Sequence, residues 1–294
     1  MANSAPIEKL FTSTGPGRAV AERFVAGDTL DSAVSVAKTL NESGLTVSLD
    51  LLGEEVTDVD SAGAAVAEYL TCLDRIESEG LDANISIKPT QLGLAIDDSA
   101  AREAVTRLGR RAAAVGTTVT IDMEDSRYTE ATLRLFELGQ SETANFGVAL
   151  QTYMKRTPHD LERLIPLGGH IRLCTGAYVE PEEVALQSKV LVDAAFEQQL
   201  RTLMAADTVV PAIATHDSKL LDLARDLAPG RTAPFEFQML YGVRKDVQRE
   251  LVAAGYPLRI YLPFGSQWYP YLTRRLAERP ANAWFLARAL FSRS

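Results

Sequence analysis

Eight short β-rich runs separated by longer amphipathic stretches, each with apolar residues confined to one strand face, predict an α/β fold. The expected architecture is a closed, parallel (β/α)8 TIM-like barrel with extra N-terminal helices and a short helix after strand eight. A chain of 294 residues lies above the usual one-domain size but within the range of such barrels. One domain over residues 1–294 is therefore expected, with 1–44 as an N-terminal helical segment.

Two helical patterns open the chain, near Arg18–Ala26 and Thr29–Asn41. The first strand, Leu45–Leu51, is followed by helical spacing over Ala62–Ser78, and Asn84–Lys88 by Ser99–Ala114. Thr118–Met123 precedes a helix at Tyr128–Leu138, Phe146–Gln151 is the fourth strand, and His170–Cys174 precedes a long helical stretch, Glu182–Met204. Pro211–Thr215 leads to Ser218–Leu227, Phe235–Gln238 to Arg244–Ala254, and Leu258–Leu262 closes the series. A doubly wound open sheet is the competing arrangement. The first strand, however, is followed by Gly53-Glu-Glu-Val and not by a Gly-x-Gly-x-x-Gly turn, and no other strand carries that fingerprint.

Successive strand side chains point to opposite faces, so Val119, Ile121 and Met123 share one face while Thr118, Thr120 and Asp122 share the other. The apolar face must meet the helices. The same parity turns Ser48 and Asp50, Ser86 and Lys88, Ala149 and Gln151, Arg172 and Cys174, Glu236 and Gln238, and Arg259 and Tyr261 inward, with Gly147, Ala212 and Ala214. Barrel interiors are usually filled by bulky branched side chains, so this one calls for a large polar ligand, unless a strand register is off by one residue.

Acidic residues outnumber basic ones 39 to 30, so no broad positive field exists to hold a polyanion and nucleic acid is not an expected partner. The two cysteines, Cys72 and Cys174, lack the paired spacing of a zinc or redox motif and suit a reducing cytosol. The amino-terminal residues lack a basic region followed by an apolar stretch, and no run approaches the roughly 20 apolar residues of a membrane span. The expectation is a soluble, cytoplasmic protein, peripheral to a membrane at most.

Lys88, Asp122, Gln151, Arg172, His216, Gln238 and Tyr261 fall at strand carboxyl ends, where barrel active sites lie. A buried Lys88 needs either a counter-charge or a depressed pKa. Asp122 on the adjacent strand is the expected partner, in an ion pair that serves structure or chemistry. His216 has no second histidine at ligand spacing and reads as an orienting residue, so no metal site is expected. In the helix after strand eight, Arg274 and Arg275 lie four and three residues before Glu278, and Tyr271 lies four before Arg275. Two adjacent guanidiniums can grip one carboxylate while Glu278 fixes them; a solvated face of surface ion pairs is the other reading. The apolar segment Asn282–Phe291 either packs on the barrel or docks on a membrane or quinone.

The stretch Tyr261-Leu-Pro-Phe-Gly-Ser-Gln-Trp-Tyr-Pro-Tyr-Leu-Thr-Arg-Arg-Leu-Ala-Glu-Arg-Pro-Ala-Asn282 resembles the last strand and substrate-binding helix of the proline dehydrogenase family. Ser86-Ile-Lys-Pro, Ile121-Asp-Met-Glu-Asp, Leu150-Gln-Thr-Tyr, Arg172-Leu-Cys-Thr-Gly-Ala-Tyr, Ala214-Thr-His-Asp and Glu236-Phe-Gln-Met-Leu match family motifs in the same order, and the likeness runs from about Leu45 to Phe291. The resemblance implies a distorted barrel holding noncovalent FAD, oxidation of L-proline to Δ1-pyrroline-5-carboxylate, and transfer of electrons to a membrane quinone. It implies that Arg274 and Arg275 clamp the proline carboxylate beside Lys88, that Glu278 orients them, and that Asp122 is the ionic neighbour of Lys88. Tyr178, Leu240, Tyr261 and Tyr271 would wall in the ring. Gln151, Arg172, Cys174 (through its backbone), Gly176, Lys189, Thr215, His216, Asp217 and Gln238 would hold the flavin. Three positions depart from the family: Thr175 stands in place of a usual lysine, Val179 of a bulkier residue and Asp217 of an asparagine. Two alternatives are a Schiff-base aldolase with Lys88 as nucleophile and a noncatalytic barrel that only binds.

Overall fold

The inward and outward parities of the strands meet in one closed wall. In the computed structural model, which describes residues 21–53 and 56–277, eight parallel strands pair in sequence order and the last returns to the first. They are β1 (Thr46–Leu51), β2 (Ala83–Ile87), β3 (Val119–Ile121), β4 (Phe146–Gln151), β5 (His170–Cys174), β6 (Val210–Ala214), β7 (Glu236–Leu240) and β8 (Leu258–Phe264). The predicted runs agree with these to within about two residues at each end, the usual uncertainty of element boundaries.

Helices cover the outside, α1 (Leu30–Glu42), α2 (Val59–Glu79), α3 (Asp98–Val115), α4 (Thr129–Thr143), α5 (Thr157–Leu164), α6 (Lys189–Ala205), α7 (Ser218–Leu227) and α8 (Lys245–Ala253), while α9 (Trp268–Ala277) follows β8 and packs apart from the main core. Their starts are written in side chains that satisfy otherwise orphaned amides: Thr29, Asp58, Asp97, Ser188 and Asp217 each accept a backbone N–H of the first turn. Val47, Leu49, Ile85, Val119, Val148, Ile171, Ile213 and Ile260 face these helices and are fully buried.

Two helical expectations are corrected. The stretch 182–188 is not helix. Lys155 and Leu186 donate amides to Val184 and Tyr153, and Met154 bridges Ala185, so the segment pairs with the loop after β4 and the helix begins only after Ser188. Val184, Ala185 and Leu186 pack with Tyr153 and Met154, and this burial accounts for their apolar pattern. In 21–26, helix ends at Ala21 and a turn places Phe24 and Val25 against Trp268 and Leu272 of α9. Residues 18–20 lie outside the described region.

Phe146 is fully buried where α3 and α4 cross β4, and two glycines, Gly109 and Gly139, let its ring in. A Cβ at Gly139 would stand 2.6 Å from the ring. Gly139→Ala is expected to destabilise by about 1–2 kcal/mol, the overpacking cost less alanine's helical advantage. An unchanged or raised midpoint in urea unfolding would contradict this packing.

Candidate active site

Polar residues inside the barrel hydrogen-bond in two sets, one at its floor and one higher up. At its floor Ser48 donates to Asn84 Oδ1 at 2.5 Å, and Asn84 Nδ2 donates to Thr118 and Thr120 at 2.9 and 3.3 Å. Arg259 Nε donates to Glu236 at 2.9 Å, and Gln238 Nε2 donates to the same carboxylate at 2.6 Å. Arg172 Nε donates to Gln238 Oε1 at 2.6 Å, its Nη1 to Ser86 Oγ at 2.9 Å and also to Asp122 Oδ1. Three acids and three bases, Asp50, Asp122 and Glu236 against Lys88, Arg172 and Arg259, therefore neutralise one another where isolated charges would be prohibitive.

Lys88 tops β2, and its nearest partner is a residue the motif reading passed over. Its Nζ donates to Asp50 Oδ1 at 2.5 Å, whereas Asp122 Oδ2 lies at 3.6 Å. Asp122 is thus the second counter-ion, engaged first by Arg172, by the Ser86 hydroxyl at 2.8 Å and by the Tyr261 hydroxyl at 2.6 Å. Burial alone would lower the Lys88 pKa, but Asp50, Tyr261 and Asp122 outweigh it and hold the ammonium well above its ordinary value. Burial would likewise raise Asp122, yet Arg172 and Lys88 keep its carboxyl below the ordinary range. Asp50 is held above its ordinary value by burial, against the pull of Lys88.

Over the strand carboxyl ends lies a cavity of about 440 Å³. Lys88, Asp122, Gln151, Arg172, Cys174, Tyr178, Gln238, Leu240, Tyr261 and Tyr271 all line it, together with Asp50. A second chamber of about 590 Å³ adjoins it and shares Thr175, Gly176, Thr215, His216 and Leu240; Lys189, Asp193 and Asp217 belong to the second chamber alone. Gln151 is held from two sides, donating to the Glu124 carbonyl at 2.9 Å and accepting the Ala177 amide at 3.3 Å. His216 Nε2 accepts the Leu240 amide at 3.1 Å, an orienting contact. Lys189 lies 2.5 Å from Asp193 and 3.7 Å from Asp217. Among the described residues no group of three histidines, cysteines or carboxylates could hold a metal.

Of the three departures, Thr175 and Asp217 line the second chamber, while the Val179 side chain stands in solvent. Arg274 and Arg275 lie in α9, three and four residues beyond the cavity-lining Tyr271; their side chains, and Glu278 altogether, fall outside the described residues. Asp50, Asn84 and Glu236 were not among the expected site residues, and they share one signal: each is an inward-parity polar residue on a strand.

A family model described as proline dehydrogenase matches residues 33–288. The chain is 35% identical over 276 residues to proline dehydrogenase 1 of Bacillus subtilis (strain 168), covering 93% of this chain and 91% of that one. It is 36% identical over 293 residues to proline dehydrogenase 2 of the same strain, covering 99% and 96%. Among solved structures, proline utilization A from Bdellovibrio bacteriovorus, inactivated by N-propargylglycine, superposes with a TM-score of 0.84 at 24% identity, over 94% of this chain and 34% of that longer chain.

Proposed function

From the premise that the chain belongs to the proline dehydrogenase family, we propose that it oxidises L-proline to Δ1-pyrroline-5-carboxylate. Noncovalent FAD is the acceptor in this reading, a membrane quinone takes the electrons onward, and residues 1–294 form one barrel domain for the task.

One observation supports the flavin above the others. Arg172 Nη2 is buried, belongs to a side chain lining the inner cavity, and has no hydrogen-bond partner among the described residues. An acceptor-rich ring system would satisfy it, and an unmet buried donor is otherwise costly. The adjoining chamber suits the rest of a dinucleotide. The amino ends of α6 and α7 and the Lys189 ammonium favour phosphate there. Gln151, Arg172, Gln238 and the Cys174 backbone would hold the ring system, and Gly176, Lys189, Thr215, His216 and Asp217 the remainder. Bound FAD supplies the hydride acceptor.

The protein's own residues bind, orient and exclude water. Arg274 and Arg275 take the substrate carboxylate, Glu278 orients them, and Lys88 adds a charge held in place by Asp50 and Asp122. Tyr178, Leu240, Tyr261 and Tyr271 enclose the ring, with the Tyr261 hydroxyl fixed on Asp122. The Schiff-base reading requires a neutral Lys88, and its two carboxylate neighbours keep it charged. Membership of an enzyme family replaces the noncatalytic reading. No helix of the described residues is long and apolar enough to cross a membrane, and a peripheral contact at the inner face of the cytoplasmic membrane is part of the proposal; Asn282–Phe291 lies outside the described residues.

The test is turnover of L-proline by the FAD-loaded protein with a soluble quinone analogue. A product two hydrogens lighter than proline, formed as the quinone is reduced, is expected. Proline left unconsumed would overturn the reading.

A further inference from the structure

The loop after β5, residues 175–188, carries Tyr178 into the inner cavity and is tied down mainly towards β4. Ala177 donates its amide to Gln151 Oε1 at 3.3 Å, Tyr153 donates its hydroxyl to the Tyr178 carbonyl at 3.2 Å, and Leu186 donates its amide to the Tyr153 carbonyl at 2.8 Å. Glu180 reaches further. It passes over β4 to the loop after β3, where its two carboxylate oxygens accept the Ser126 amide and the Ser126 hydroxyl, each at 2.6 Å. Ser126 follows Asp122 by four residues, so this bidentate contact joins the strand that holds the Lys88 and Tyr261 partners to the loop that brings Tyr178 over them. Two charge-assisted bonds to one residue fix position as well as distance.

We propose that Glu180 is a positioning residue: by holding Ser126 it latches the Tyr178 loop across the barrel mouth and so places Tyr178 against the bound substrate. The role of Tyr178 rests on the reading of this cavity as the proline site; the latch itself does not. Because the contact needs geometry more than charge, a glutamine can reproduce it, accepting the Ser126 amide through Oε1 and donating to the hydroxyl through Nε2.

Hydrogen exchange and steady-state kinetics on FAD-loaded protein separate the two claims. Glu180→Ala is expected to speed amide exchange in 175–180 and at Ser126, and to raise KM for L-proline by about tenfold while kcat stays within about threefold, the signature of lost ground-state binding. Glu180→Gln should return both readouts most of the way. Ser126→Ala, which keeps the amide donor, should give a smaller change, and Glu180→Ala with Ser126→Ala should be no worse than Glu180→Ala alone. Unchanged exchange in Glu180→Ala, or a glutamine variant as impaired as the alanine one, would overturn the latch. Faster exchange with an unaltered KM would overturn its role in placing Tyr178. If the parent protein did not oxidise proline at all, the functional reading would fail while the exchange data still decided the latch.

Discussion

Lys88→Met is expected to slow reduction of the bound flavin by proline on the order of 100-fold, the cost of a substrate misplaced by about an ångström. The same substitution should change stability in a pH-dependent way. Lys88 is the direct counter-ion of Asp50, which is almost wholly buried. Without it, burial and the neighbouring Asp122 raise the Asp50 pKa further against the Tyr261 hydroxyl alone, both pushing in the direction they already push in the parent protein. An acid whose pKa is higher folded than unfolded binds more protons when folded, so its stabilising share is present at low pH and lost as pH rises through the folded value. The deficit of Lys88→Met relative to the parent should therefore be larger at pH 8 than at pH 5, reaching about 3–5 kcal/mol, the usual cost of leaving one member of a buried pair alone. Urea unfolding at the two pH values measures it; an equal deficit at both would mean that Asp50 does not depend on Lys88.

Arg275→Met should act on the other side of the reaction. Tyr271 lines the cavity, and Arg275 follows it by one helical turn of α9. If its guanidinium grips the substrate carboxylate, removing it forfeits charge-assisted bonds of roughly 1.5–3 kcal/mol each, so KM for L-proline should rise about 100-fold. Flavin affinity, followed by quenching of FAD fluorescence, should not move, because the residues proposed to hold the cofactor lie on other elements. A variant with parental KM would return Arg275 to the solvated face of the helix.

The barrel was legible because strand parity repeats every two residues and each apolar strand face needs a helix to cover it. Val119 and Ile121 packing outward, with Thr120 and Asp122 inward, required only that rule. Asp122 as an ionic neighbour of Lys88 was legible, but its nearer partner, Asp50, was not. Asp50 and Asp122 lie on the two strands flanking β2, 38 residues before and 34 after Lys88, and parity turns both inward. Asp50 pairs with Ser86, two residues before Lys88, and Asp122 follows Ile121, the partner of Ile87, yet the ammonium lies 2.5 Å from the first and 3.6 Å from the second, a choice made by side-chain placement in the folded barrel.

The helical reading of Glu182–Met204 failed only over 182–188, and for a different reason. Val184 and Leu186 are apolar because they pack beside Tyr153 and Met154, and short apolar patterns do not distinguish a helical turn from a bridged loop. The Glu180–Ser126 contact spans 54 residues between two loops and has no periodic signature at all. Arg231 is similar. Its buried guanidinium donates to the carbonyls of Met204, Ala206 and Val209 and so closes the carboxyl end of α6, yet in sequence it is one arginine in a polar loop.

The central claim is that this cavity holds a flavin and a proline together, with the proline oxidised there. Anaerobic mixing of the FAD-loaded protein with L-proline tests it most directly. The oxidised flavin absorption band should bleach with L-proline, rapidly in the parent protein and much more slowly in Lys88→Met. A parent band that L-proline leaves intact, while dithionite bleaches it fully, would contradict the account.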